Sequence, residues 1–355
     1  METIKINDDA ENIIGKVLAE DVISEAGHFL LGKGMTITGW HVNILKNHEV
    51  GTVNVVKSEE LPLTLQIKSV FKKKEEISDL YFENVKEVKQ LFYQAATRKP
   101  PSFETFMKPF VPLLETVVRG NNIFLELHHL KGYDEYTFRH SINVGLLAAT
   151  IGKILRYPTE ASLLLGKIGF FHDIGKMKVS QQILNKREAL TDKEYEEIKR
   201  HTIYGKEILA EIVGPDHIFC VGALYHHERL DGSGYPFEMK GDNIPLIAQI
   251  ISVADTFDAI SSDRVYQEKV APFQALEELV KEVYKGRLNG NIVFPFVANI
   301  IHGYIGKTVV LSDGRSGQLL YIHAEEISRP LVRVEEEFID MRKQRHLTII
   351  DVSLE

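Results

Sequence analysis

Cysteine is almost missing from this chain: Cys220 is the only one among 355 residues, so no intrachain disulfide can form, as expected of a cytosolic protein. No apolar run approaches the ~20 residues that a membrane-spanning helix requires. The opening stretch METIKINDDAENIIGKVL is polar and acidic, unlike a secretory leader. The expected setting is therefore soluble and cytoplasmic, with no membrane partner. Positive charge is not in excess either. Lys and Arg number 42 against 50 Asp and Glu, a net charge of -8, which argues against binding DNA or RNA polymers by phosphate neutralisation. A small anionic ligand is compatible with this balance, because a bound metal cluster supplies local positive charge that the formal count omits.

An apolar fraction of 44% is ordinary for a globular protein, and the length exceeds one usual domain. Residues 1–60 carry short β-branched runs with turn residues and read as a small α+β module, with a hairpin at Gly32 and Gly34 and a short helix from Trp40 to His48. Residues 61–129 have helical periodicity, broken at Pro100-Pro101, and read as a linker or dimerisation region. Lys72, Lys73 and Lys74 there read as a solvated helix face. Residues 130–305 continue the helical pattern, and 306–355 switch to strands parted by Asp313-Gly314 and Ser316-Gly317, a small β appendage. The expected class is mainly α.

The sequence holds 14 histidines, and a few fall where apolar residues are due. His140 is in line with Val144, Leu147 and Ile151. His172 continues the stripe Ala161, Leu165, Ile168. His201 continues Ile198 and precedes Gly205, Ile208 and Ile212. Asp255 extends Ile247 and Ile251, with Asp258 one turn on. A buried imidazole or carboxylate without partners costs several kcal/mol, so each requires a hydrogen bond, an ion pair or a metal. For any one of them a satisfied core residue is the simpler reading. For all of them, with His226-His227 besides, convergence on metal explains the set together.

Imidazoles and carboxylates without thiolate favour iron, manganese, zinc or related divalent ions. A carboxylate directly after a histidine, as in His172-Asp173, can bridge two ions while the ring binds one. Lys176 lies about one turn beyond, within reach of a phosphoryl oxygen. Thr191-Asp192-Lys193-Glu194 forms a capping box, so the helix bearing His201 is expected to begin near Asp192.

FFHDIGK at 170–176 resembles the signature of HD metal-dependent phosphohydrolases, and YHHERLDGSGYP at 225–236 resembles the narrower motif of the HD-GYP family. DEYTFRHS at 134–141 and SVADTFDAISSDRVY at 252–266 match its neighbours in order and spacing. The resemblance implies an HD-type helical bundle that hydrolyses cyclic di-GMP to pGpG, with GMP as a further product, by hydroxide activated at a two-metal centre of Fe or Mn. It implies His140, His172, Asp173, His201, His226, His227 and Asp255 as metal ligands, with Asp173 bridging. It makes Asp173 and Lys176 catalytic, assigns phosphate to Lys176 and Arg264, has Asp258 support the substrate site, and places Tyr235 in the GYP loop over the substrate, its ring stacked on guanine or packed against the core. Relatives with a third ion carry Glu four residues before the first histidine; Tyr136 stands there, so two ions are expected. Gln267 replaces a basic residue of some relatives, leaving Lys269 for that role. Gly232 and Gly234 of the GYP loop permit positive φ, and Asp-Gly-Ser-Gly read on its own is a turn. The alternatives are a cyclic di-GMP receptor without turnover and an HD phosphohydrolase acting on another nucleotide. The segment before residue 130 is expected to regulate or dimerise the chain. No receiver or GGDEF domain is apparent, so such a signalling partner would be a separate protein. His28, His41, His48 and the pair His128-His129 are not assigned to metal, and Arg315, Arg329 and Arg333 carry no argument for a ligand.

Overall fold

The computed structural model describes residues 2–6, 13, 16, 18–24, 29–32, 37, 39–48, 50–55, 63–97, 99–119, 136–186, 188–261, 272–323 and 326–353. The chain divides into two compact units, Met1–Lys73 and Lys74–Glu355. In the first, β1 (Glu2–Lys5) pairs antiparallel with β4 (Thr52–Val55), and β2 (Val22–Ile23) with β3 (Phe29–Leu31). Alternation along β4 buries Val53 and Val55 against Ile6, Leu18, Leu31 and Leu45, the last from α1 (Gly39–Asn47). The turn expected at Gly34 lies outside the described residues.

The second unit is mainly helical. α2 (Leu63–Ala95) ends before Pro100, and α3 (Phe103–Arg119) buries Phe106, Phe110, Leu113, Leu114 and Val117 along one stripe. α4 (Tyr136–Ile154) and α5 (Thr159–Phe171) cross at glycines: a Cβ on Gly145 would stand 2.8 Å from the Gly166 carbonyl oxygen. Rings fill the space around that crossing, with Phe110 and Phe170 stacked at 4.4 Å. α6 (Gln181–Leu184), α7 (Asp192–Lys199), α8 (His201–Val213), α9 (Ile218–Tyr225) and α10 (Leu246–Ser261) follow, then α11 (Pro272–Tyr284) and α12 (Gly290–Tyr304). No helix among the described residues is long and apolar enough to cross a membrane.

The capping box is present: Thr191 Oγ1 accepts from the Glu194 amide at 3.3 Å, and Glu194 Oε2 accepts from the Thr191 amide at 2.8 Å. Thr191→Ala is expected to cost ~1 kcal/mol, seen as a lower urea midpoint at unchanged slope. The helix so capped ends at Lys199, however, and His201 opens α8 instead of lying within α7. The cause is local. His201 Nδ1 donates to the Ile198 carbonyl at 2.7 Å and Thr202 Oγ1 to the Lys199 carbonyl at 3.1 Å, so side chains occupy acceptors that a continuous ladder would use.

β5 (Thr308–Leu311), β6 (Ser316–His323), β7 (Glu326–Val334), β8 (Glu337–Asp340) and β9 (Ile349–Ser353) form one antiparallel sheet of order β8-β7-β6-β5-β9. Its Val309, Leu319 and Val332 share one apolar core with Phe273 and Leu276 of α11. Asp313-Gly314 is the turn between β5 and β6, with Gly314 at φ 86. Ser316-Gly317 is not a turn. Both lie in β6, Gly317 opposite Val309, where a Cβ would stand 2.6 Å from the Arg333 carbonyl oxygen; close strand approach, not a bend, demands this glycine.

Candidate metal centre

Each donor of the expected site sits at a helix end or on an inward face. His140 and Asn143 lie on α4, a turn apart; His172 follows α5, and after Asp173 the chain tightens into a 3-10 turn, Ile174–Lys178. His201 is the first residue of α8, His226-His227 follow α9, and Asp255 and Asp258 share the inward face of α10. One contact sets the spacing. A Cβ on Gly175 would stand 1.9 Å from the His201 carbonyl oxygen and 2.3 Å from the Gly205 amide nitrogen, so only glycine lets the turn lie on α8 and bring Asp173 beside His201.

The donors form two sets: His140, His172 and Asp255, and Asp173, His201, His226 and His227, with the donor atoms of each set within 4.8 Å of one another. Asp173 faces both. Its Oδ1 stands 3.3 Å from His201 Nε2 and 3.8 Å from His226 Nε2, while Oδ2 stands 3.3 Å from His172 Nε2 and 3.5 Å from His140 Nε2. Hydrogen bonds fix the tautomers. His172 Nδ1 donates to the Gly169 carbonyl at 2.7 Å, His201 Nδ1 to that of Ile198, and His226 Nδ1 to that of Ala223 at 3.0 Å. His140 Nδ1 donates to Asp258 Oδ2 at 2.7 Å. In the neutral rings the Nε2 atoms therefore carry lone pairs. Those lone pairs converge at His201 and His226, which meet Nε2 to Nε2 at 3.3 Å; His140 and His172 meet at the same distance, where a proton on His140 bridges them when no metal is bound. Facing lone pairs repel unless a cation lies between them, and two nitrogens on one ion at ~2.1 Å stand ~3.0–3.4 Å apart for right-angle to tetrahedral coordination. Asp173 Oδ1, buried and without a hydrogen-bond partner, fits the same conclusion. The arrangement suits divalent metal ions.

The charge states agree at His201, His226 and His227, whereas His140 without metal is held protonated. Burial lowers His201 to about 4, although Asp173 opposes the shift. Burial, then neighbouring histidines, hold His226 and His227 well below the ordinary imidazole value. Burial also pulls His140 down, but hydrogen bonds to Asp255 and Asp258 prevail and raise it to about 9. Burial opposes ionisation of Asp173, yet His172, Lys176 and His201 hold its carboxyl well below the usual range. A histidine kept neutral contributes stability that is present above its unfolded value of ~6.5 and lost as pH falls toward its folded one. His140 is the reverse, its contribution present below ~6.5 and lost as pH rises through its folded value. The chelator-treated protein is thus expected to melt highest near pH ~6.5 and to lose stability more steeply on the acid side, where His201, His226 and His227 all protonate on unfolding. Calorimetry across pH 4–9 checks this.

The pattern that defines the HD domain matches residues 120–292. Residues 120–292 are an HD domain, and their motifs resemble those of its HD-GYP branch. The chain is 35% identical over 219 residues to a cyclic di-GMP phosphodiesterase of Pseudomonas aeruginosa, covering 62% of this chain and 52% of that protein. It is 35% identical over 165 residues to 3'3'-cGAMP-specific phosphodiesterase 1 of Vibrio cholerae, covering 46% of this chain and 38% of that protein. It thus spans about half the length, or less, of these relatives. A solved HDG"Y"P protein from Bdellovibrio bacteriovorus shares the fold, with a TM-score of 0.51 at 14% identity over 84% of this chain and 99% of that one.

In this HD domain a cavity of about 680 Å³ opens over the two donor sets, lined by His140, His227 and Asp255 together with Lys176, Tyr136 and Arg229. Lys176 Nζ also pairs with Asp173 Oδ2 at 2.5 Å. Two expected substrate residues do not line the cavity. Asp258 is fully buried behind His140, and Tyr235 stacks on His227 with centroids 4.6 Å apart while Lys199 lies over its ring. In the GYP loop Gly232 has φ 83, but Gly234 is not at positive φ; a Cβ there would stand 2.4 Å from the His227 carbonyl oxygen, so it supplies space. Arg264, Gln267, Lys269, His28, His128 and His129 lie outside the described residues.

Sequence reasoning missed three supports. Asn143 Nδ2 donates to Asp258 Oδ1 at 3.0 Å; its spacing of three from His140 places it on the same helix face, and this was the available clue. Buried Glu228 accepts from the Phe237 and Met239 amides at 2.7 and 2.9 Å and so anchors the loop that carries Tyr235. Arg229 donates to the His226 carbonyl at 3.2 Å and to Ser252 Oγ at 2.5 Å, bracing the end of α9 against α10.

Proposed function

We propose that this chain is a metal-dependent phosphodiesterase that hydrolyses cyclic di-GMP to pGpG, with GMP as the product of a second cut. The observation that carries the reading is Asp173, whose two oxygens each face a separate set of imidazoles. Two ions, Fe or Mn, would be held by His140, His172 and Asp255 on one side and His201, His226 and His227 on the other, with Asp173 shared. Bound there, they would lower the pKa of water and neutralise phosphoryl oxygens.

The remaining work falls to the chain. The low proton affinity of His201, His226 and His227 keeps their rings neutral and able to donate at neutral pH. Asp258 holds His140 in the tautomer that presents Nε2. Lys176, on the cavity wall, binds a non-bridging oxygen of the phosphodiester, and Arg264 takes another. Water attacks phosphorus in line and the ribose 3′-oxygen leaves. The names of the relatives from Pseudomonas and Vibrio support a cyclic dinucleotide as substrate.

The test is anaerobic incubation of Fe(II)- or Mn(II)-loaded protein with cyclic di-GMP and, separately, 3'3'-cGAMP, with products resolved by chromatography. Appearance of pGpG supports the proposal, and a later rise of GMP supports the second cut. Faster loss of cGAMP reassigns the substrate. Intact cyclic di-GMP with folded, metal-loaded protein leaves a receptor.

A further inference from the structure

We propose that Tyr81, on α2 and outside the HD domain, is a positioning residue that holds His140 through a buried relay of Asn143 and Asp258. The proposal rests on the reading of His140 as a metal ligand. The Tyr81 hydroxyl donates to Asn143 Oδ1 at 2.7 Å, Asn143 Nδ2 donates to Asp258 Oδ1 at 3.0 Å, and Asp258 Oδ2 accepts from His140 Nδ1 at 2.7 Å. All four side chains are buried, so water does not compete for these bonds.

The direction of each bond follows from chemistry. An ionised carboxylate only accepts, so Asp258 requires donors from both Asn143 and His140. Asn143 must therefore turn its NH₂ group to Asp258 and its carbonyl oxygen to Tyr81. A side chain with two nearly isosteric ends has little shape preference of its own. The Tyr81 hydroxyl supplies the preference, because its proton pairs only with the oxygen end. Arg139 reinforces this: its guanidinium donates to the Tyr81 oxygen, leaving the hydroxyl proton for Asn143. Without that proton, Asn143 Oδ1 is buried and unpaired, the amide is free to turn, and Asp258 loses a donor. His140 then loses the rigid acceptor that fixes its ring plane and tautomer. Because Tyr81 precedes the HD domain, the relay gives a residue ahead of that domain a direct hold on one metal ligand.

The experiment uses the full chain, stripped by chelator and titrated with Co(II), followed by visible absorption, with thermal melting as the control for folding. Partners that orient metal-bound histidines are worth ~10–100-fold in affinity, and a residue one link further back is expected to be worth ~3–10-fold. Tyr81→Phe should weaken Co(II) binding by that factor, Asn143→Ala by at least as much, and the double variant by no more than Asn143→Ala alone. A merely structural Tyr81 would instead weaken binding independently, and multiplying effects in the double variant overturn the relay. So does binding by Tyr81→Phe, or by Asn143→Ala should the first not fold, that is within twofold of wild type. Wild-type protein that takes up no Co(II) would remove the metal-centre reading itself. That failure is distinguishable because no cyclic dinucleotide is present in the experiment.

Discussion

Asp173→Asn is expected to lower cyclic di-GMP turnover by ~10³-fold or more, because a residue supporting one metal ligand is already worth ~10–100-fold and Asp173 faces both sets. The amide keeps the size of the carboxylate, so the consequence is electrostatic. Asn offers one oxygen and one NH₂ group. With the Lys176 ammonium 2.5 Å from the Oδ2 position, the amide oxygen turns to that side. The NH₂ group then points at His201 and His226, 3.3 and 3.8 Å from the Oδ1 position. There it meets lone pairs when the site is empty and a cation when it is filled. The His201, His226 and His227 set should lose its ion, while His140, His172 and Asp255 keep theirs. Plasma emission analysis of Mn(II)-loaded protein should find half the wild-type metal, and chromatography should find no pGpG above background. The fold should survive, since Asp173 Oδ1 makes no hydrogen bond that the substitution would break. Turnover within tenfold of wild type would exclude a bridging role.

Gly175→Ala is expected to damage fold and site together. The added methyl would stand 1.9 Å from one backbone atom and 2.3 Å from another, and neither can rotate away as a side chain could. The 3-10 turn and α8 must separate, which pulls Asp173 from His201. Overpacking typically costs ~1–3 kcal/mol, and backbone on backbone belongs at or above the upper end. For a unit of this size that corresponds to a fall in melting temperature of roughly 6–12 °C. Metal uptake at the His201 set should fall with it. A Gly175→Ala variant that melts and binds Mn(II) like wild type would show that the contact yields more easily than this account allows.

These two residues differ in how readable they were. The donors stood out because imidazoles and carboxylates occupied positions where helical periodicity called for apolar side chains, and an inward polar group needs a partner. That signal is local, so one sequence sufficed to place His140, His172, His201 and Asp255 on inward faces, and the structure brings them together. Gly175 gave no such signal. Its constraint comes from Gly205 and His201 on a different helix, and only the crossing reveals it. The Tyr81–Asn143 bond spans 62 residues of chain, beyond any periodicity. The break before His201 was hidden because α7 and α8 together keep an inward stripe while side chains take over two backbone acceptors between them. Gly317 was misread for a related reason: glycine marks both turns and close strand contacts, and Ser-Gly alone does not separate them. Asp258 and Tyr235 were placed at the substrate by resemblance. In the structure Asp258 accepts from His140 and the half-buried Tyr235 stacks on His227.

The most direct measurement is an anomalous difference map from crystals of the full chain soaked in Mn(II). Two peaks per chain are expected, one among His140, His172 and Asp255 and one among His201, His226 and His227, with Asp173 between them. No peak at these donors, or a single ion bound elsewhere, would contradict it.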